Sequence, residues 1–225
     1  MPFTTLDIVA LAWFAAAWAS YALMLEYAPL QRKGLNARMN QYREVWMQRM
    51  LDREMRMVDM QIMAALQNGT AFFASTSLLA IGGALTLLRS TDEVIGVVAT
   101  LPLGIQASRV LWELKTIGVV LIFVYAFFKF AWSYRIFNYA AILLGAVPQH
   151  GQASEEEGKA AARRAAAMNV VAGRHFNRGK RAFLFALAYL GWFVSPYIFV
   201  AGTALCLLVM WRRQFASDAI AALND

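Results

Sequence analysis

Four apolar runs divide the chain, at residues 5–27, 70–88, 116–138 and 183–210, with charged or turn-rich sequence between them. A helix rises about 1.5 Å per residue, so about 20 mainly apolar residues cover a hydrocarbon core of ~30 Å. The pattern predicts an all-α integral membrane bundle of four transmembrane helices, one membrane domain over residues 1–225. The first run follows "MPFTTLD", which has no basic start, and no A-x-A site comes after it. It is read as a retained helix, not a cleaved signal.

The polar segments carry patterns of their own. Residues 35–67 contain no Pro and predict one long amphipathic cytoplasmic helix of about 50 Å between the first and second spans. Arg38, Arg49, Arg53 and Arg56 share one face, and Met39, Tyr42, Trp46, Met50 and Met57 a neighbouring one. Asp52 with Arg56, and Arg56 with Asp59, have the spacing of surface ion pairs. Such a helix either lies on an anionic leaflet or packs on protein through Trp46, Arg49, Arg53, Arg56 and Asp59. Interleaved acids and abundant Met favour protein packing. Residues 91–108 hold an apolar core too short to span, interrupted by Gly96, Pro102 and Gly104, which reads as an external cap or re-entrant piece. Within the cytoplasmic segment 139–182, residues 148–160 read as a loop, followed by a short surface helix that enters the last span. The absence of an internal repeat argues against an inverted-repeat transporter.

Composition agrees with the pattern. The chain is 60% hydrophobic and 16% charged, against about a quarter charged in soluble domains. Basic residues cluster in the two segments after the first and third spans, whereas residues 89–115 are nearly balanced. Retention of Lys and Arg on the cytoplasmic side makes both basic segments internal and both termini non-cytoplasmic, in a bacterial inner membrane. This topology leaves Arg212 and Arg213 on the side that the rule disfavours.

The phrases "REVWMQRM", "FFASTSLLAIGGAL", "FAWSYRIFNYAAILLGAVP" and "NRGKRAFLFALAYLGWFVSPY", with "WRRQF" after the last, occur in this order over most of the chain. They resemble a family of small multi-pass membrane proteins of bacteria and plants, the domain of unknown function numbered five hundred and ninety-nine. The resemblance implies a multi-pass membrane fold and brings no activity and no site residues.

Polar residues inside the spans mark candidate sites. Lys129 and Arg135 in the third span each cost about 2.5–3.5 kcal/mol if placed at the bilayer centre. They either pair within the bundle, with Glu26 and Asp59 as the acidic candidates and Glu26 at the similar depth, or sit at the inner interface among aromatic anchors. In the second span, Thr70, Ser77 and Ala84 form one stripe and Ser75, Gly82 and Thr86 another, with Thr76 and Gly83 beside them. Small residues at this spacing make a helix seam, and the same hydroxyls lining a narrow path would present donors to water or an anion.

Cys206, inside the last run, is the single cysteine and excludes an intrachain disulfide. His150 and His175 lack paired metal-ligand spacing and read as solvated or membrane-surface side chains. No metal, cofactor or catalytic residue is predicted, and basic segments beside spans are explained by topology and not by nucleic acid. Two function classes remain: a homo-oligomeric channel with a positively charged cytoplasmic vestibule, or a non-catalytic accessory or scaffold subunit of a larger membrane complex. The expected partners are the lipid bilayer, further copies of the chain and such a complex. A lipid- or quinone-handling enzyme has no residue set to define it.

Overall fold

The computed structural model describes residues 3–27, 33–100, 108–149 and 151–223. Every regular element among them is helical: α1 (Thr5–Tyr27), α2 (Leu35–Arg49), α3 (Met57–Arg89), α4 (Thr91–Ala99), α5 (Arg109–Gly145), α6 (Glu155–Leu190), α7 (Pro196–Phe215) and α8 (Asp218–Ala221). Four segments among the described residues are long and apolar enough to cross a membrane: Thr5–Tyr27, Met57–Arg89, Arg109–Gly145 and Pro196–Ala221. The chain divides into two compact units. Unit 1 comprises Met1–Leu35, Ser77–Tyr125 and Arg181–Asp225, and unit 2 comprises Asn36–Thr76 and Ala126–Lys180.

The single helix expected over residues 35–67 is broken. After α2 a 3-10 turn covers Met50–Asp52, Arg53 is extended (φ −94°, ψ 127°), and α3 begins at Met57. α3 then continues through Asn68 and Gly69 without interruption. A straight helix would hold Trp46 and Asp59 about 20 Å apart. The bend instead brings the indole Nε1 to 2.6 Å from the Asp59 carboxylate. It also places Met47, Met50 and Met63, all fully buried, in one core with Ile136, Phe137 and Ala140 of α5 and the alanines of α6. Burying each Met is worth roughly 1.5–3 kcal/mol, more than the propensity lost at a few broken positions. The buried positions therefore differ from the expected packing face, of which Met39, Tyr42 and Met57 are exposed.

α6 is a helix of 36 residues, about 54 Å, and not a short surface segment. Its side toward α5 and α2 is Ala-rich, with Ala162, Ala165, Ala166 and Ala172 buried. Gly179 lets it approach Phe130 so closely that a Cβ there would stand 2.7 Å from the ring.

The run expected to span from 183 to 210 is interrupted. α6 ends at Leu190, a 3-10 turn covers Gly191–Phe193, and α7 starts at Pro196. Ser195, held extended before the proline (φ −161°, ψ 157°), caps α7 by accepting a hydrogen bond from Ile198 N at 3.2 Å. Pro196 loses nothing by lacking an N–H in the first helical turn.

Within unit 1, α1 buries Asp7, Ala10, Phe14, Ala17 and Tyr21, one residue every three or four. Phe14 meets the rings of Phe185 and Phe199 at 5.5 and 5.0 Å, and Trp18 stacks on Phe185 at 5.0 Å. These contacts fix helix directions. Trp192 bonds Asp7, Phe185 packs on Phe14 and Trp18, and Arg181 reaches Glu26, so the last turns of α6 run antiparallel to α1. Phe199 lies at Phe14 and Trp211 near Met24, so α7 runs parallel to α1. Phe3 stacks on Trp192 at one end of unit 1, and Gln214 lies against Gly34 at the other. Phe3 and Gln214 therefore lie at opposite ends of unit 1, because the break before Pro196 turns the chain back so that α7 runs along α1.

Residues 91–99 of the expected cap form α4, while residues 101–107 and His150 lie outside the described residues.

Candidate functional site

The residues expected on the cytoplasmic helix converge in unit 2. Asp59 is fully buried and accepts from Trp46 Nε1 and from the Arg53 guanidinium. Arg56 donates through both terminal nitrogens to the carbonyls of Val147 and Pro148, pinning the end of α5 to the start of α3. The pairing of Arg56 with Asp52 and Asp59 expected along a continuous helix is replaced, because the extended residue at 53 changes the register of every side chain beyond it. Arg49 remains exposed and lines a cleft of about 770 Å³ with Asp52, Pro148, Glu155, Lys159 and Arg163. Lys159 pairs with Glu155, which raises the pKa of the amine and lowers that of the carboxyl. Gly151 turns the chain beside the cleft at φ +81°, a left-handed conformation suited to glycine. A cleft of this size fits a small polar ligand or a peptide segment.

A second polar cluster of unit 2 was not expected from the sequence. Asn169 is fully buried and its Nδ2 has only the Met63 sulfur, at 3.6 Å, while Oδ1 has no hydrogen-bond partner. The Arg43 guanidinium lies against Gly173, where a Cβ would overlap it, and burial lowers its pKa. Ser133 donates to the Ala172 carbonyl at 2.8 Å, and Gln67 to Asn138 at 2.7 Å.

The charges expected within or beside the spans have the following surroundings. Glu26 pairs with Arg181 at 3.5 Å, a partner outside the two weighed from the sequence. Arg135 is exposed, donates to the Tyr139 hydroxyl at 2.6 Å and lies over the Trp132 and Tyr139 rings. Lys129 is half-buried and close enough to His175 to oppose its protonation.

Of the hydroxyl stretch, Thr70 is buried in unit 2 and Ser77 in unit 1. Met63, Thr70, Ser77, Ala84 and Thr91 recur every seven residues and are the buried line of this stretch. Ser75, Gly82, Gly83 and Thr86 are exposed, and neither glycine has a neighbour within 4 Å of where a Cβ would stand. Thr70, Thr76 and Thr86 donate to the carbonyls of Leu66, Phe72 and Gly82, one turn back on their own helix.

Unit 1 holds an ionic knot that sequence reasoning missed. Thr4 and Asp7 cap α1 reciprocally, with Asp7 N donating to Thr4 Oγ1 at 3.2 Å and Thr4 N to Asp7 Oδ2 at 3.0 Å. Asp7 also accepts from Trp192 Nε1 at 2.7 Å, and Lys115 Nζ donates to the Trp192 carbonyl at 2.7 Å. The T-x-x-D spacing at residues 4–7 and a charge at the start of the third run were the legible signals. Among the described residues no group of three His, Cys, Asp or Glu side chains has metal-binding geometry.

A family model described as "Protein of unknown function, DUF599" matches residues 9–219. No curated protein and no solved structure matches the chain.

Proposed function

The chain belongs to the DUF599 family of proteins of unknown function, and from that premise we propose a non-catalytic membrane subunit that assembles with copies of itself through the outward face of α3. The observation that carries this reading is the bareness of that face. Ser75, Gly82, Gly83 and Thr86 lie on a membrane-length helix with open space around both glycines. Glycine inside a helix costs about 1 kcal/mol relative to alanine, and close approach of a second helix is what repays it in a bilayer. The threonine hydroxyls return their hydrogen bonds to their own helix, which suits a packed seam.

In this reading the protein is embedded in the cytoplasmic membrane with five crossings, the last turns of α6 returning along α1 before α7. The N-terminus is then external and the C-terminus cytoplasmic. The direction of α7 supports it, since Arg212 and Arg213 then fall on the side that retains cations. The mixed-charge cleft of unit 2 is the docking point for a cytoplasmic segment of a larger complex.

A pore at the centre of the assembly is the second reading, favoured by the exposure of Ser75 on the same face. The test uses a Cys206→Ser background. Ser75→Cys is expected to crosslink between copies in native membranes, and Gly82→Leu to abolish the crosslink while leaving the thermal midpoint of the monomer unchanged. Absence of the Ser75→Cys crosslink, with efficient crosslinking at Val209→Cys on α7, would overturn the assignment of the face. Ion flux in liposomes above that of empty vesicles, lost in Gly82→Leu, would select the pore over the scaffold.

A further inference from the structure

Where α1 and α7 run parallel in unit 1 they leave an open groove of about 530 Å³, lined by Ser20, Tyr21, Met24, Leu207, Leu208 and Trp211. The Ser20 hydroxyl donates to the Ala17 carbonyl of its own helix at 3.1 Å, which leaves that wall apolar in character. Residues 8–25 of α1 and 196–211 of α7 carry no charge, so the groove follows the apolar length of both helices. Charge comes at one end. Leu208, Trp211 and Arg212 are spaced i, i+3 and i+4, so Arg212 stands one turn beyond Leu208 on the same side of α7. Arg213 follows it, and Gly34 lies against Gln214 and Phe215, which brings Lys33 to the same end.

All three cations are exposed, and neither arginine pairs with a carboxylate among the described residues. Glu26, the acid at this end of α1, is held by Arg181 at 3.5 Å and does not neutralise them. Trp211, 42% exposed, packs on Phe215 at 4.8 Å between the apolar walls and the cations, the place an indole takes at headgroup level. An apolar groove that ends in an indole and three cations complements a molecule with a hydrocarbon chain and an anionic head. We propose that the groove between α1 and α7 binds an anionic phospholipid, an acyl chain lying along Met24 and Leu208 and the phosphate group at Arg212, Arg213 and Lys33. The guanidinium groups supply paired donors to the phosphate oxygens, and Lys33 a mobile ammonium. The site requires only that the protein be embedded in a membrane; neither assembly through α3 nor the number of crossings enters it.

The test measures the full-length protein in detergent with phosphatidylglycerol, phosphatidylcholine of the same chains, or inorganic phosphate added, reading lipid retention by native mass spectrometry and the thermal midpoint. Phosphatidylglycerol is expected to be retained and to raise the midpoint, and the other two are not. Arg212→Gln with Arg213→Gln should weaken retention about fivefold per charge removed, and Lys at both positions should restore it. Ser20→Phe, which sets a ring in the groove, should weaken retention with every cation in place. Arg89→Gln, exposed in the last turn of α3, should change neither readout. Equal retention of phosphatidylcholine would overturn the assignment of an anionic head, and an equal response to inorganic phosphate would overturn the lipid in favour of a soluble anion. Unchanged phosphatidylglycerol retention in the folded double variant, or in folded Ser20→Phe, would overturn the site.

Discussion

Replacing Asp59 with Asn removes the one negative charge on which Trp46 and Arg53 converge, at the bend between α2 and α3. The Asp59 side chain is completely buried, while that of Arg53 is 40% exposed. A hydrogen bond to a buried charged group contributes about 1.5–3 kcal/mol and a neutral one about 0.5–1.5. Asn preserves an acceptor for the indole, so that contact weakens by about 1–1.5 kcal/mol. The Arg53 pair, discounted for solvent screening, adds about 0.5–1. Asp59→Asn should therefore destabilise by about 2 kcal/mol, and Asp59→Ala by about 3, because it leaves the indole donor and the cation unpaired. Equilibrium unfolding in mixed micelles of increasing SDS fraction measures both. A cycle with Trp46→Phe isolates the indole contact, and a coupling of ~1 kcal/mol or more is expected. If the two single effects add within ~0.5 kcal/mol, Trp46 and Asp59 do not interact and the bend has another cause.

Gly179→Ala forces a Cβ to within 2.7–2.9 Å of the fully buried Phe130 ring, which Phe73 stacks from another side at 5.4 Å. It should destabilise by about 1–3 kcal/mol, and an unchanged thermal midpoint would refute the close approach of α5 and α6. Because the His175 pKa is lowered on folding, the unfolded chain binds more protons near pH 6, and stability rises with pH through the ordinary imidazole range of about 6.5. The thermal midpoint should fall between pH 7.5 and 5.5, and by less in His175→Gln; equal slopes would remove His175 from the titration. In a Cys206→Ser background, Thr4→Cys should react with an impermeant maleimide on intact cells and Asp218→Cys should not. Labelling of both positions would restore an even number of crossings.

Much of the architecture could be read locally. Hydrophobicity sums over adjacent residues, so the apolar runs announced membrane-length helices whatever they pack against. Ser195 followed by Pro196 was a local signal too, since a proline and its predecessor restrict their own backbone; the hydrophobicity of the flanking residues concealed it. The contacts of Arg135 with Trp132 and Tyr139 were equally within reach, because these partners lie within four residues on the same helix.

What only the tertiary structure decided depends on partners distant in the chain. No residue between Met50 and Arg56 is a helix breaker. The bend exists because Asp59, Val147 and the alanines of α6 offer more to Trp46, Arg56 and the methionines than a straight helix can. Glu26 pairs with a residue 155 positions away because α6 returns antiparallel to α1. In "NGTAFFASTSLLAIGGALTLL" both stripes of small residues were visible, but spacing is the same for a buried stripe and a bare one. Packing chose Thr70, Ser77 and Ala84 for the inside and left Ser75, Gly82 and Gly83 on the surface.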